Sequence, residues 1–153
     1  MFTEDKQATI HYIPANKNLD YKIDDLRKKY GINFVLAAGL PSDYNVPLLR
    51  VTKNQYIIEH QGGKLFFHPS MALLRTVNLN RGIEDRFLQA VKLSPGDVFL
   101  DATMGLASDS LMAARAVGNE GGVIALEGSF LLYFLVNEGL SGIKRLMPQK
   151  VSR

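Results

Sequence analysis

Val98-Phe99-Leu100-Asp101-Ala102-Thr103-Met104-Gly105-Leu106-Ala107-Ser108-Asp109 is the stretch on which the reading of the fold turns. Ser94-Pro95-Gly96-Asp97 is turn chemistry, and Val98–Leu100 behind it is a continuous apolar strand of the kind buried on both faces of a parallel sheet. The strand ends in an acid, crosses small residues and enters a helix over Ser108–Val117 that Gly118 stops. Val123–Leu126 reads as another buried strand and Ser129–Glu138 as another helix. This β–α–β–α order is that of a doubly wound α/β sheet. Ligands of such sheets sit beyond the carboxyl ends of the strands, where helix starts present unbonded N–H groups.

Spacing narrows the ligand. A dinucleotide site requires G-x-G-x-x-G, so that a pyrophosphate packs on the glycine turn. Gly105-x-Ala107 lacks the second and third glycines. Asp101, four residues before Gly105, would repel a pyrophosphate but suits a cationic ligand bearing an amino acid, which points to S-adenosylmethionine. Glu127 ends the next strand, 26 positions beyond Asp101, where a carboxylate accepts the ribose hydroxyl protons. Gly128 leaves room for the adenosine, and Ser129 is a helix-capping residue type. Asp109 is either a ligand contact or a first-turn acid favoured by the helix dipole.

Outward from this segment, the chain opens as strand (8–13), helix (19–30, stopped by Gly31) and strand (32–38). Gly39-Leu40-Pro41-Ser42-Asp43 is the expected boundary after it. Strands near 48–52, 55–59 and 64–67, the last after a Gly62-Gly63 turn, predict a small antiparallel meander. A helix carrying Met71, Leu74 and Val77 on its apolar side follows, with Ser70 as its expected cap, and another runs over 83–91. The expected domains are therefore 1–40, a β–α–β appendage; 41–96, the meander and linking helices; and 97–153, a partial Rossmann-like cofactor domain.

Composition bounds the chemistry. The 153 residues are 46% hydrophobic and 22% charged, ample for a core. Without cysteine there is no disulfide, thiol nucleophile or cysteine zinc site. His11, His60 and His68 have no metal-ligand spacing, so no metal is expected. Met1–Lys6 does not read as a secretory signal. Phe130–Val136, the longest apolar run, falls short of the roughly 20 residues that cross a bilayer. No membrane association and a cytoplasmic location are expected. The net charge of +3 is mild; Arg27-Lys28-Lys29 and Lys144, Arg145, Lys150 and Arg153 are either solvated faces or contacts for RNA phosphates.

The run Asp101 to Asp109, followed by Ala125-Leu126-Glu127-Gly128-Ser129, resembles class I S-adenosylmethionine-dependent methyltransferases, and more narrowly the RsmJ-like family that methylates guanine in small-subunit ribosomal RNA. Ala107 stands where that pattern, D-A-T-x-G-L-G-x-D, has a glycine. The resemblance implies a Rossmann-like methyltransferase sheet and S-adenosyl-L-methionine as cofactor. Its contacts are expected among Asp101, Thr103, Gly105, Ala107, Ser108, Asp109, Glu127 and Gly128, with ribosomal RNA the implied substrate. It also implies an acid-and-proline loop that grips the base, yet no Asp-Pro or Asn-Pro follows Glu127. The expectation is a truncated enzyme with no assignable catalytic residue, or a non-catalytic remnant that binds the cofactor. The helix over 129–138, apolar all round, would then be an exposed surface for self-association or for the missing half.

Overall fold

The structure, a computed structural model, describes residues 9–37 and 46–146, with side chains left aside at 17 and 142–146. The boundary expected at Gly39–Asp43 and the basic side chains from Lys144 onward lie outside the described set. The chain divides into two compact units, Met1–Phe66 and Phe67–Arg153.

In the first unit, β1 (Thr9–Pro14), α1 (Asp20–Tyr30), β2 (Asn33–Leu36), β3 (Leu48–Val51), β4 (Tyr56–His60) and β5 (Gly63–Phe66) follow in order. The strands form one sheet, β2-β1-β3-β4-β5. The meander is therefore not a body apart from the opening strands. His11–Pro14 pair in parallel with Leu48–Val51, which satisfies the second edge of β1 and buries Leu48, Leu49 and Val51. Helix α1 buries Ile23 and Leu26 and ends at Gly31, whose φ of 64° suits a residue without Cβ. Lys22 and Arg27 of this helix reach back to the sheet. Lys22 Nζ donates to the carbonyls of Thr52 and Lys53, and Arg27 Nη2 to that of Phe34. The β4–β5 turn is Gln61-Gly62, one residue earlier than expected, with both φ values positive as a tight two-residue hairpin requires.

The second unit holds α2 (Ser70–Asn80), α3 (Arg86–Val91), β6 (Val98–Asp101), α4 (Ser108–Val117), β7 (Gly122–Ala125) and α5 (Phe130–Leu146). Strands β6 and β7 are parallel, with Leu100 beside Ile124 and Asp101 beside Ala125. The cap expected at Ser70 is supplied instead by His68, whose Nδ1 accepts the Ser70 N–H at 3.1 Å. Helix α3 starts at Arg86 rather than Ile83, because Asp85 has extended backbone and caps it through the Leu88 N–H.

Burial departs from the sequence expectation where a second covering layer is needed. Val98, Leu100 and Ile124 are 69%, 57% and 55% exposed, so neither strand is buried on both faces. Among the described residues α4 covers the face that carries Asp101, and Phe99 on that side meets Phe87 edge-on at 5.6 Å. Met71, Leu74 and Val77 of α2 are also exposed; the helix buries Ala72 and meets α4 through Arg75 and Thr76. Helix α5 does the opposite. Phe134, Leu135 and Val136 are buried, leaving Tyr133 as the large exposed apolar residue among its described side chains. The open apolar surface thus lies on the strands and α2 more than on 129–138. No helix among the described residues is long and apolar enough to cross a membrane.

Candidate functional site

The residues singled out between 101 and 128 meet at the carboxyl ends of β6 and β7. Two backbone bonds join the loops that leave these strands: Leu126 N–H donates to the Asp101 carbonyl at 2.7 Å, and Met104 N–H to the Leu126 carbonyl at 2.9 Å. Glu127 adds a side-chain brace. Its Oε2 accepts the Gly105 N–H at 2.9 Å and its Oε1 the Ser129 N–H at 2.7 Å. One carboxylate therefore fixes both loops, while each oxygen keeps a lone pair for a further donor. Gly128 beside it has open space where a Cβ would stand.

Asp101 faces inward. Its buried carboxylate accepts the Thr103 N–H at 3.1 Å and the Ser110 hydroxyl at 2.5 Å, so it ties the turn to α4 from the sheet side. Ser110 was not foreseen, since nothing in its neighbourhood marks it as a partner nine positions away. Thr103 enters through its backbone, and its side chain lies in the exposed turn.

Gly105 and Ala107 are both left-handed, at φ 54° and 62°. That conformation costs an L-residue about 1–2 kcal/mol, so Ala107 bears a strain that a glycine would not. Its N–H donates to the Met104 carbonyl at 2.8 Å, and this tight turn aims the start of α4 toward the strand ends. Ala107 occupies the cap position and brings no capping oxygen. The first N–H groups of α4 are thus available to a ligand acceptor.

Ser108 and Asp109 are held by a residue that the sequence reading overlooked. Arg75, on α2, donates through Nη1 to Ser108 Oγ at 3.1 Å and Asp109 Oδ1 at 2.6 Å. Its Nε and Nη2 grip both oxygens of Asp85 at 2.7 and 2.9 Å, and its guanidinium lies 5.5 Å from the Phe87 ring centre. The Arg75 guanidinium, helped by the N-cap bond, draws the Asp85 carboxyl down to about 2 from the usual 3.8. The one available signal was Asp85 itself, an N-cap residue type ahead of a helical run.

A cavity of about 320 Å³ lies elsewhere, in the first unit beside Leu48, Arg50, Glu59 and Lys64. There Arg50 and Glu59 are matched to each other by a bidentate pair at 2.9 and 2.8 Å, which lowers the Glu59 carboxyl below its ordinary range. None of the predicted cofactor residues lines it. Among the described residues no cluster of His, Asp and Glu is arranged to hold a metal ion.

Parallel strands, a crossover helix and a strand-end crevice define the class: this is an α/β fold of the Rossmann-like type. The solved structure of the SAM-dependent methyltransferase NGO1261 from Neisseria gonorrhoeae matches it with a TM-score of 0.55 at 16% identity, over 94% of this chain and 55% of that one. TrmN from Thermus thermophilus aligns at a TM-score of 0.36, also at 16% identity, over 89% of this chain and 42% of that one. By sequence, the chain is 41% identical over 152 residues to the uncharacterized protein YpiP of Bacillus subtilis (strain 168), an alignment covering 95% of this chain. The chain spans 58% of the length of that relative. No family model matches.

Proposed function

We propose that residues 97–129 bind S-adenosyl-L-methionine and that the chain serves a class I methyltransferase acting on ribosomal RNA, of the RsmJ-like type. One observation carries the cofactor reading: Glu127 braces the Gly105 and Ser129 amides at the strand ends and still has acceptor capacity facing an open Gly128. In this reading Glu127 takes the ribose hydroxyls and Gly128 admits the adenosine. The uncapped amides of Ser108 and Asp109 meet the amino-acid end, and Gly105 and Ala107 let the backbone approach it. Asp101 and Thr103 contribute by holding the turn. The bound cofactor would supply an electrophilic methyl group for a nucleophilic amine, and the protein's share is to position it.

The RNA target rests on the resemblance of Asp101–Asp109 to the RsmJ-like motif. NGO1261, whose name states a SAM-dependent methyltransferase, supports the class alone. A second reading, a cofactor-binding module without its own catalysis, is favoured by the bare apolar face of Val98, Leu100 and Ile124. That face suits a chain whose sheet is covered by another polypeptide.

Calorimetric titration with S-adenosylmethionine tests the site. Glu127→Ala is expected to weaken binding at least tenfold, as removal of a charged hydrogen-bond acceptor of ribose should. Equal binding by both proteins, or binding by neither, rejects the assignment.

A further inference from the structure

We infer that Arg75 is a positioning residue for this crevice: it sets the placement of the first turn of α4, and cofactor affinity depends on it without its touching the ligand. The inference rests on the cofactor reading above for its functional consequence, though not for its structural half. A helix start is normally fastened by a capping side chain. In α4 the cap position is Ala107, which has no oxygen to offer. Two side-chain anchors replace it. Asp101 holds Ser110 from the sheet side, and Arg75 holds Ser108 and Asp109 from the helix side.

The second anchor is built for rigidity. The planar guanidinium spends Nε and Nη2 on Asp85 and turns Nη1 toward α4. Arg75 is only 19% exposed and Asp85 9%. Phe87 lies 5.5 Å from the guanidinium, and this ring is itself packed against Phe99 of β6. Thus α2, the cap of α3 and the first turn of α4 are joined through one fork. Lysine cannot reproduce it, because an ammonium is a point charge without the two-sided planar geometry.

The arrangement also separates two roles for Asp109. Its 55% exposure makes the ion pair with Arg75 a weak source of stability, yet the pair sits on the turn that faces the strand ends. A positioning role therefore predicts effects on binding that do not track effects on folding.

The experiment compares Arg75→Lys with Gly139→Ala in the full chain. Each is measured by urea unfolding, by titration with S-adenosylmethionine and by amide hydrogen exchange without ligand. Gly139→Ala strains α5 against Phe67 and leaves the bonds of Arg75 to Asp85, Ser108 and Asp109 in place. It should lower stability while holding affinity within threefold. Arg75→Lys should weaken binding at least tenfold. It should also speed exchange at Leu111 and Met112, whose amides bond the carbonyls of the α4 start, at least tenfold, and change Ala116 and Val117 less than threefold. Affinity losses proportional to stability losses in both variants overturn the inference, as does uniform or absent acceleration along α4. If the unaltered protein fails to bind, the cofactor reading falls while the exchange result still decides whether Arg75 sets this turn.

Discussion

Asp85→Asn is the sharpest test of the electrostatics in the second unit. The aspartate caps α3 through the Leu88 N–H at 3.1 Å and receives two bonds from Arg75. Asparagine retains the cap through its one acceptor oxygen, so the substitution removes the charge together with the acceptor of the Arg75 Nε. In the folded protein the carboxyl sits at about 2 instead of 3.8, chiefly through its hydrogen bonds with Arg75. A gap of that size corresponds to roughly 2 kcal/mol at 1.36 kcal/mol per unit; partial solvent screening of the Arg75 end reduces it to about 1–2 kcal/mol. The sign follows from the depressed value. The carboxylate stabilises the fold fully above the unfolded value near 4 and loses that contribution as pH falls through 2. Urea unfolding at pH 6 should show the variant about 1–2 kcal/mol less stable. The gap should close between pH 4 and pH 2. A gap that stays constant down to pH 2, or none at pH 6, refutes the Arg75–Asp85 pair as the cause.

Two further predictions follow from backbone and packing. Ala107→Gly removes left-handed strain of about 1–2 kcal/mol against the loss of one buried methyl worth about 0.8 kcal/mol, so thermal or urea unfolding should show a gain of about 0.2–1.2 kcal/mol. A clear loss would mean that the turn does not have the positive φ of 62°. Gly139→Ala should destabilise by about 1–3 kcal/mol although alanine is the better helix former. Its Cβ would fall 2.0 Å from Phe67 Cδ1, inside a side chain that is itself buried. Stabilisation measured for Gly139→Ala would show that α5 does not pack on Phe67.

The strand-end acids were visible in the sequence because both follow apolar strand runs and precede small residues. Their different duties were not. Asp101 and Glu127 look alike in pattern, yet one is buried against Ser110 and the other joins two loops at the rim. Direction along a strand alternates with every residue, but the partner depends on what packs above it. Ala107 shows a similar limit. The small residue in the turn is legible, whereas its positive φ comes from the tight Ala107–Met104 bond.

By itself the sequence determined the local order of this protein: β6, α4, β7 and α5 in succession, glycine at the ends of α1 and α4, and a Rossmann-like crevice beyond two strand ends. These follow from period, turn chemistry and helix stops, which act over a few residues. Tertiary structure alone decided three things: the joining of the meander to β1, the exposure of Val98, Leu100 and Ile124, and the grip of Arg75 on residues 33 and 34 positions away. Each depends on which surfaces meet after the chain has folded back on itself, and no local pattern encodes a partner at that separation. The strand-end crevice is therefore written in the residues from Val98 to Ser129, while the positioning role we infer for Arg75 comes from α2, through an arginine that the motif does not contain.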